Sequence, residues 1–281
     1  MSLKLVAIDM DETLLRKDKT FDHQLFKKVY QKMEEQGILV CIASGNSYHK
    51  LEEYLEDFPH DDMYLAGDNG NFIVKGSTNV ETLGMDYQTW RRITDYIDQF
   101  DGYYIKVSLG NKTYYRGTDN PIHETIHVFE REYGRIDSFD EVLNEPQAVK
   151  VAVKSTHSLE ETKEMAQHLM EQFEEIESVT SGNDWMDVYH KQGGKGQAIR
   201  YLQEKYNITP DETIAFGDSL NDMTMLQRAT YSVAMGNADP DLLQYATYQI
   251  GSNEDQAVLK VLDEYLTTQQ LDIFEKYRIE K

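Results

Sequence analysis

Two carboxylates, Asp9 and Asp11, close an apolar run that reads Leu5-Val6-Ala7-Ile8-Asp9-Met10-Asp11-Glu12-Thr13. Side chains along a strand alternate faces, so residues two apart project to one side, where a metal ion or a phosphorus atom could meet both acids. A distant run, Thr213-Ile214-Ala215-Phe216-Gly217-Asp218-Ser219-Leu220-Asn221-Asp222, repeats the design with a short apolar strand, a glycine at the turn and two further acids. Four acids at strand ends describe a site for a hard cation. Oxygen-only ligands suit Mg²⁺, whose shell water and a substrate phosphate would complete.

Two more strand-end signals lie between these runs. Ile38-Leu39-Val40-Cys41-Ile42-Ala43 leads into Ser44-Gly45-Asn46, which offers a hydroxyl and a backbone N–H at the start of a helix, a cradle for phosphate. Gln192-Gly193-Gly194-Lys195-Gly196 sets a lysine among glycines ahead of a helix, where its ammonium can neutralise phosphate oxygens or a nucleophile.

In this order the four motifs resemble the haloacid dehalogenase (HAD) superfamily of phosphotransferases, and more narrowly its Cof-type members, the subfamily IIB phosphatases, with a large type C2 cap between the second and third motifs. The resemblance spans the chain. It implies motif one at Asp9-Met10-Asp11-Glu12-Thr13, motif two at Ser44-Gly45, motif three at Lys195-Gly196 and motif four at Gly217 to Asp222. Asp9 would be the nucleophile that becomes a phospho-aspartate, and Asp11 the acid and base that serves leaving group and water. Mg²⁺ would be held by Asp9, Asp218 and the backbone carbonyl of Asp11, with Asp222 holding a metal-bound water or Lys195. Ser44, the Gly45 N–H, the Met10 N–H, Asn221 and Lys195 would bind the phosphate oxygens. Two positions depart from the family pattern. Glu12 stands where glycine is usual, which alters how the loop after the nucleophile turns, and Asn46 stands where an arginine is common, which removes a cation near the substrate.

The elements that must position these residues alternate. Strands are expected over 3–8, 38–43, 63–66 and 71–74, with helices over 22–36 and 47–57; Leu25, Phe26, Val29, Tyr30 and Met33 recur at helical spacing and stop at Gly37. Asp68-Asn69-Gly70-Asn71 reads as a tight turn, and the resemblance puts a similar Asn-Gly near substrate. From about residue 83 aromatic residues crowd in at Tyr87, Trp90, Tyr96, Phe100, Tyr103 and Tyr104, and Gly110-Asn111 joins a hairpin over 104–116. Helices over 121–133 and 159–173 then alternate with strands over 148–154, 177–181 and 185–190. Helix 196–206, strand 213–216, helix 221–229, strand 232–235 and helices 239–246 and 254–268 follow. The expected fold is α/β: a Rossmann-like parallel-sheet core from 1–82 and 191–281 with an α+β cap over 83–190. Within the cap, Arg116, Asp187 and His190, with Tyr114 and Tyr115, are candidates to touch the leaving group, while Asp184 and Trp185 read as turn and cap-core residues.

Composition agrees. A length of 281 residues favours two domains, and no apolar run approaches the roughly 20 residues of a membrane helix. Met1-Ser2-Leu3-Lys4 passes directly into the first strand, so no signal peptide is expected, and the single cysteine, Cys41, in an apolar strand fits a reducing cytoplasm. Fifty acids against 28 bases give a net charge of −22, which argues against nonspecific binding to nucleic acid or anionic membrane. The expected partner, a small phosphorylated metabolite, must then approach an anionic protein at a site made locally positive by Mg²⁺, Lys195 and helix N-termini. The oligomeric state is left open. A phosphatase of small phosphorylated metabolites, sugar phosphates above all, is the leading expectation. The same aspartyl-phosphate could instead pass to a sugar hydroxyl, as in a phosphotransferase or mutase. A phospho-accepting regulatory or binding protein is disfavoured by the cap and by the DxD spacing.

Overall fold

The computed structural model describes residues 2–119, 121–144, 147–181 and 184–280. Leu5–Asp9 lies inside an eight-stranded sheet whose order is Tyr248–Gln249, Tyr231–Ala234, Thr213–Gly217, Leu5–Asp9, Leu39–Ala43, Tyr64–Ala66, Phe72–Lys75 and Thr78–Thr82. The first six strands run parallel and the last two turn back antiparallel. All five residues of Leu5–Asp9 are buried, as the apolar run requires of a strand covered on both faces. Val6 and Ile8 face one layer, with Phe26, Val29 and Met33 of helix His23–Glu35 and Leu259 and Leu262 of helix Ala257–Thr268. Leu5 and Ala7 face the other, with Ala198, Ile199 and Leu202 of helix Lys195–Tyr206. Asp22 caps the first helix by accepting from Leu25 N at 2.9 Å. In such a sheet the strands Leu5–Asp9, Leu39–Ala43 and Thr213–Gly217 all deliver their carboxyl ends to one edge, where open α/β folds bind ligands.

A second sheet has the order Ile176–Ser181, Trp185–His190, Lys150–Ser155, Tyr103–Ser108, Thr113–Arg116 and Tyr133–Ile136. Its strands are antiparallel except for the last pair. One face carries Ile105, Val107, Val151, Val153, Met186 and Val188 against Trp90, Ile93 and Ile97 of helix Tyr87–Ile97 and Met165 and Leu169 of helix Leu159–Gln172. The alternate residues Lys106, Ser108, Lys150, Ala152 and Asp187 therefore occupy the opposite face, which roofs the strand ends of the first sheet.

Several expectations change. Thr78–Thr82, Tyr133–Ile136 and the two-residue Tyr248–Gln249 are sheet-edge strands that the sequence pattern did not announce. Edge strands bury little and so carry weak alternation. Helix Tyr87–Ile97 underlies what reads only as aromatic crowding, the helix expected over 121–133 is Pro121–Phe129, and Pro240–Tyr245 winds as a 3₁₀ helix. No helix among the described residues is long and apolar enough to cross a membrane.

Candidate active site

The Leu5–Asp9 strand ends on Asp9, almost wholly buried, and the chain then coils tightly through Met10–Leu14. Lys195, the first residue of its helix and also buried, donates from Nζ to Asp9 Oδ1 and to Asp222 Oδ1, each at 2.6 Å. Both oxygens of Asp222 are taken up, because Oδ2 accepts from the backbone N–H groups of Asp218 and Ser219 at 2.9 and 3.0 Å. Gly217 makes this possible: a Cβ there would lie 2.5 Å from the Asp222 Cβ. Asp218 Oδ1 accepts from Thr13 Oγ1 at 3.0 Å. Among the described residues, Asp9, Asp218 and Asp222 bring one ligand atom each within 4.8 Å of one another.

Three carboxylates thus share one ammonium. Burial works against the charge of Lys195, but Asp222 and Asp9 outweigh it and hold its pKa above the ordinary lysine range. For Asp9, burial and then the Asp222 charge push the pKa well above the carboxylate range despite Lys195, and burial followed by Asp222 raises Asp218 to about 7. Both shifts favour the protonated acids, and a further positive charge at the cluster would oppose them. Hard oxygen donors with uncompensated negative charge fit a divalent cation such as Mg²⁺.

Beside this cluster, Ser44 Oγ accepts from Asn46 N at 3.1 Å and so shapes the loop after Leu39–Ala43. Gly45 sits against two amides: a Cβ on it would meet Asn69 Oδ1 at 3.3 Å and Asn221 Nδ2 at 3.8 Å. Ser44, Gly45, Asn221 and Lys195 line one cleft of about 810 Å³ together with Asp9, Asp11 and Asp218. Met10 is fully buried behind it.

Asp11 lies apart from the three clustered acids. Its carboxylate is partly exposed and accepts from Lys19 Nζ at 2.7 Å and from Asn46 Nδ2 at 2.5 Å. Asn46, which on sequence marked only a lost cation, is thus the amide that orients Asp11. Glu12 adopts φ +54°, the left-handed conformation that suits the glycine usual at this place. Asn237 Nδ2 donates to its carbonyl at 2.8 Å and Asn253 Nδ2 to its Oε2 at 3.3 Å, so the loop turns as a glycine would turn it and is held there from outside.

The roof of the cleft corrects the choice of cap residues. Asp187 lines it, joined by Lys106, Glu130, Lys150 and Trp185, none of which the sequence singled out for this role. Trp185, expected in the cap core, instead faces the cleft with Lys106 Nζ 4.9 Å from its ring. Lys106 and Glu130 form a buried ion pair at 2.7 Å. Arg116 does not reach the cleft: it pairs with Asp98 at 2.8 Å and lies over the Phe139 ring on the helix-bearing face. His190 also lies outside the lining, accepting from Gln192 N at 3.2 Å, because it is three residues from Asp187 and so on the opposite face of their strand. Tyr114 packs into the cap core, and Tyr115 contacts His123 at 2.8 Å.

Against this geometry, residues 6–262 match the family model of haloacid dehalogenase-like hydrolases. The chain belongs to that family. It is 29% identical over 269 residues to the 5-amino-6-(5-phospho-D-ribitylamino)uracil phosphatase YbjI of Escherichia coli (strain K12), covering 95% of this chain and 97% of that one. A Bacillus subtilis (strain 168) relative named for the same activity, YwtE, is 23% identical over 291 residues, covering 95% and 99%. The crystal structure of a Streptococcus mutans UA159 protein superposes with a TM-score of 0.87 at 28% identity, covering 95% of this chain and 100% of that one. This HAD-like chain is a phosphoric monoester hydrolase with the α/β core and inserted cap of its fold.

Proposed function

We propose that this HAD-like phosphatase is Mg²⁺-dependent, works through a phosphorylated Asp9, and acts on small phosphorylated metabolites, sugar and polyol phosphates above all. The observation that carries the reading is the bridge of Lys195 between Asp9 and Asp222 beside Asp218, which keeps an anionic nucleophile next to a place for a dication. Mg²⁺, with Asp9 and Asp218 as its protein carboxylates, would supply charge neutralisation for the phosphate. Monoester hydrolysis is among the slowest uncatalysed reactions, so neutralisation must provide most of the acceleration.

Lys195 holds Asp9 Oδ1, leaving the other oxygen to attack phosphorus as the alkoxide departs. Asp11, aimed by Asn46 and Lys19, gives the alkoxide its proton and later takes one from the water that cleaves the acyl-phosphate. Ser44, the Gly45 and Met10 N–H groups, Asn221 and Lys195 receive the phosphate oxygens. Asp222 is the residue that fixes Lys195 rather than a direct metal ligand, since both its oxygens are already bonded.

The substrate class is supported by the roof, where Lys106, Glu130 and Asp187 offer donors and acceptors beside the Trp185 ring, a surface suited to hydroxyls and a planar group. The Escherichia coli and Bacillus subtilis relatives are named for a phosphorylated ribityl compound, which has both features. A phosphate-release screen over sugar phosphates, ribityl phosphates, nucleotides, flavin mononucleotide and pyridoxal phosphate, with and without Mg²⁺, tests this. The reading expects Mg²⁺-dependent release with the highest specificity constants on polyol and sugar esters. Preference for nucleotides, or release that survives exhaustive chelation, would contradict it.

A further inference from the structure

The seam between cap and core behind the phosphate site is ionic and hydrogen-bonded. Lys150, buried on a cap strand, donates from Nζ to the Gly45 carbonyl at 2.6 Å and lies 3.3 Å from Asp68 Oδ1 and 3.7 Å from Asp187 Oδ2. Asn69 reaches both ways: Nδ2 donates to Asp187 Oδ2 at 2.9 Å, and Oδ1 accepts from Asn221 Nδ2 at 3.3 Å. Ser108 Oγ of the cap donates to Asp68 Oδ2 at 3.0 Å. A buried array of this kind stabilises no better than apolar packing would, so its presence calls for another reason.

The backbone beneath it is held in an unusual shape. Asp68 and Asn69 take φ of +51° and +59°, conformations that persist in residues with a Cβ only where the surroundings over-determine them. The next residue but one, Asn71, ties the two joints of the cap. Its carbonyl accepts from Leu83 N at 2.9 Å, its Oδ1 from Gly194 N at 3.2 Å, and its Nδ2 donates to the cap carbonyl of Val149 at 3.3 Å. One short turn therefore touches both hinges, the cap sheet and two loops of the phosphate site.

We propose that Lys150 and Asn69 are positioning residues that tie the aim of the phosphate-binding groups at Gly45 and Asn221 to the seating of the cap. A glycine peptide rotates with little steric resistance, so the Gly45 carbonyl needs an outside partner to fix the loop, and Lys150 is that partner. The Asn221 amide is fixed in turn through Asn69 to Asp187. Neither residue acts on phosphorus. Seating the cap over a substrate completes both contacts and sets the phosphate donors at once.

This rests on the phosphatase reading above, which makes Gly45 and Asn221 phosphate donors. The test uses the full chain, with inorganic phosphate as inhibitor of p-nitrophenyl phosphate hydrolysis, because phosphate engages the phosphate-binding groups and brings no leaving group to the cap. Lys150→Met and Asn69→Gly are each expected to weaken phosphate inhibition about tenfold, the equivalent of one hydrogen bond, and Lys150→Arg to recover most of it. Asn69→Gly keeps the left-handed backbone and leaves Lys150 with its partners, so it carries the test if Lys150→Met fails to fold. Variants that alter KM for larger esters while phosphate inhibition stays at the wild-type value would overturn the proposal and make these residues leaving-group contacts. A wild-type chain that neither hydrolyses the ester nor is inhibited by phosphate would overturn the proposed function, and this coupling with it.

Discussion

Lys195 and Asp9 meet across 186 positions of sequence, with the ammonium Nζ 2.6 Å from Oδ1 of the carboxylate. Burial and Asp222 push the Asp9 pKa up, and Lys195 is the group that pulls it back toward ionisation. Lys195→Met should therefore leave Asp9 protonated near neutral pH and lower kcat by about 10³-fold, the scale of losing a buried charge donor. The residual pH–rate profile should move to higher pH. Steady-state kinetics across pH check this; a variant with kcat within a few-fold of wild type would contradict the role given to the lysine.

The same crowding makes metal binding proton-linked. Asp218 in the metal-free fold titrates at about 7 against an ordinary value of 3.8, so its contribution to stability is present below about pH 4 and is lost as pH rises through 7. Metal-free Asp218→Asn should then be more stable than metal-free wild type at about pH 8, the difference closing at about pH 3.5. Added Mg²⁺ should raise the melting temperature of wild type more at pH 8 than at pH 6, since it displaces fewer protons there. Thermal unfolding with chelator or Mg²⁺ measures both. Equal stability of the two chains at pH 8 would remove the basis for the linkage.

The parts of this arrangement that were legible in the sequence are local. Asp9 ends an apolar strand, Ser44 and Asp218 each directly follow one, and Asp222 lies in the turn just beyond; a strand end fixes where such residues must lie. Lys195 was legible from its glycines. The cap side was not, because Lys106, Lys150, Ala152 and Asp187 become neighbours only through cross-strand register, which pairs Ala152 with both Lys106 and Asp187. Strand parity alone could have separated Asp187 from His190, and placed Trp185 with Asp187 on the cleft face. Nothing in the sequence signalled that Asn46 would bond Asp11, since the two residues are 35 apart and meet only once two loops converge.

Glu12 offers a test of backbone strain. Because φ at this position is +54°, Glu12→Gly should retain activity and raise stability by about 1 kcal/mol, less whatever the Asn253 contact contributes. Glu12→Val should destabilise, since a β-branched residue tolerates this region poorly. Urea unfolding midpoints decide between this and a loop that relaxes freely, for which both substitutions would be near neutral.

Asn46 should matter through the leaving group. If its amide aims Asp11, Asn46→Ala should slow hydrolysis of alkyl phosphates by about tenfold or more, within the range of general-acid effects, while p-nitrophenyl phosphate, whose leaving group needs no proton, changes much less. Equal losses on the two ester classes would place Asn46 in phosphate binding instead.

The most direct measurement is chemical capture of the phosphorylated enzyme. Asp11→Asn, which should form the acyl-phosphate from an aryl ester yet hydrolyse it slowly, is mixed with p-nitrophenyl phosphate and Mg²⁺, reduced with borohydride, digested and sequenced by mass spectrometry. Homoserine is expected at position 9, absent without substrate and absent in Asp9→Asn. Conversion at any other acid, or steady turnover with position 9 unmodified, would contradict Asp9 as the nucleophile.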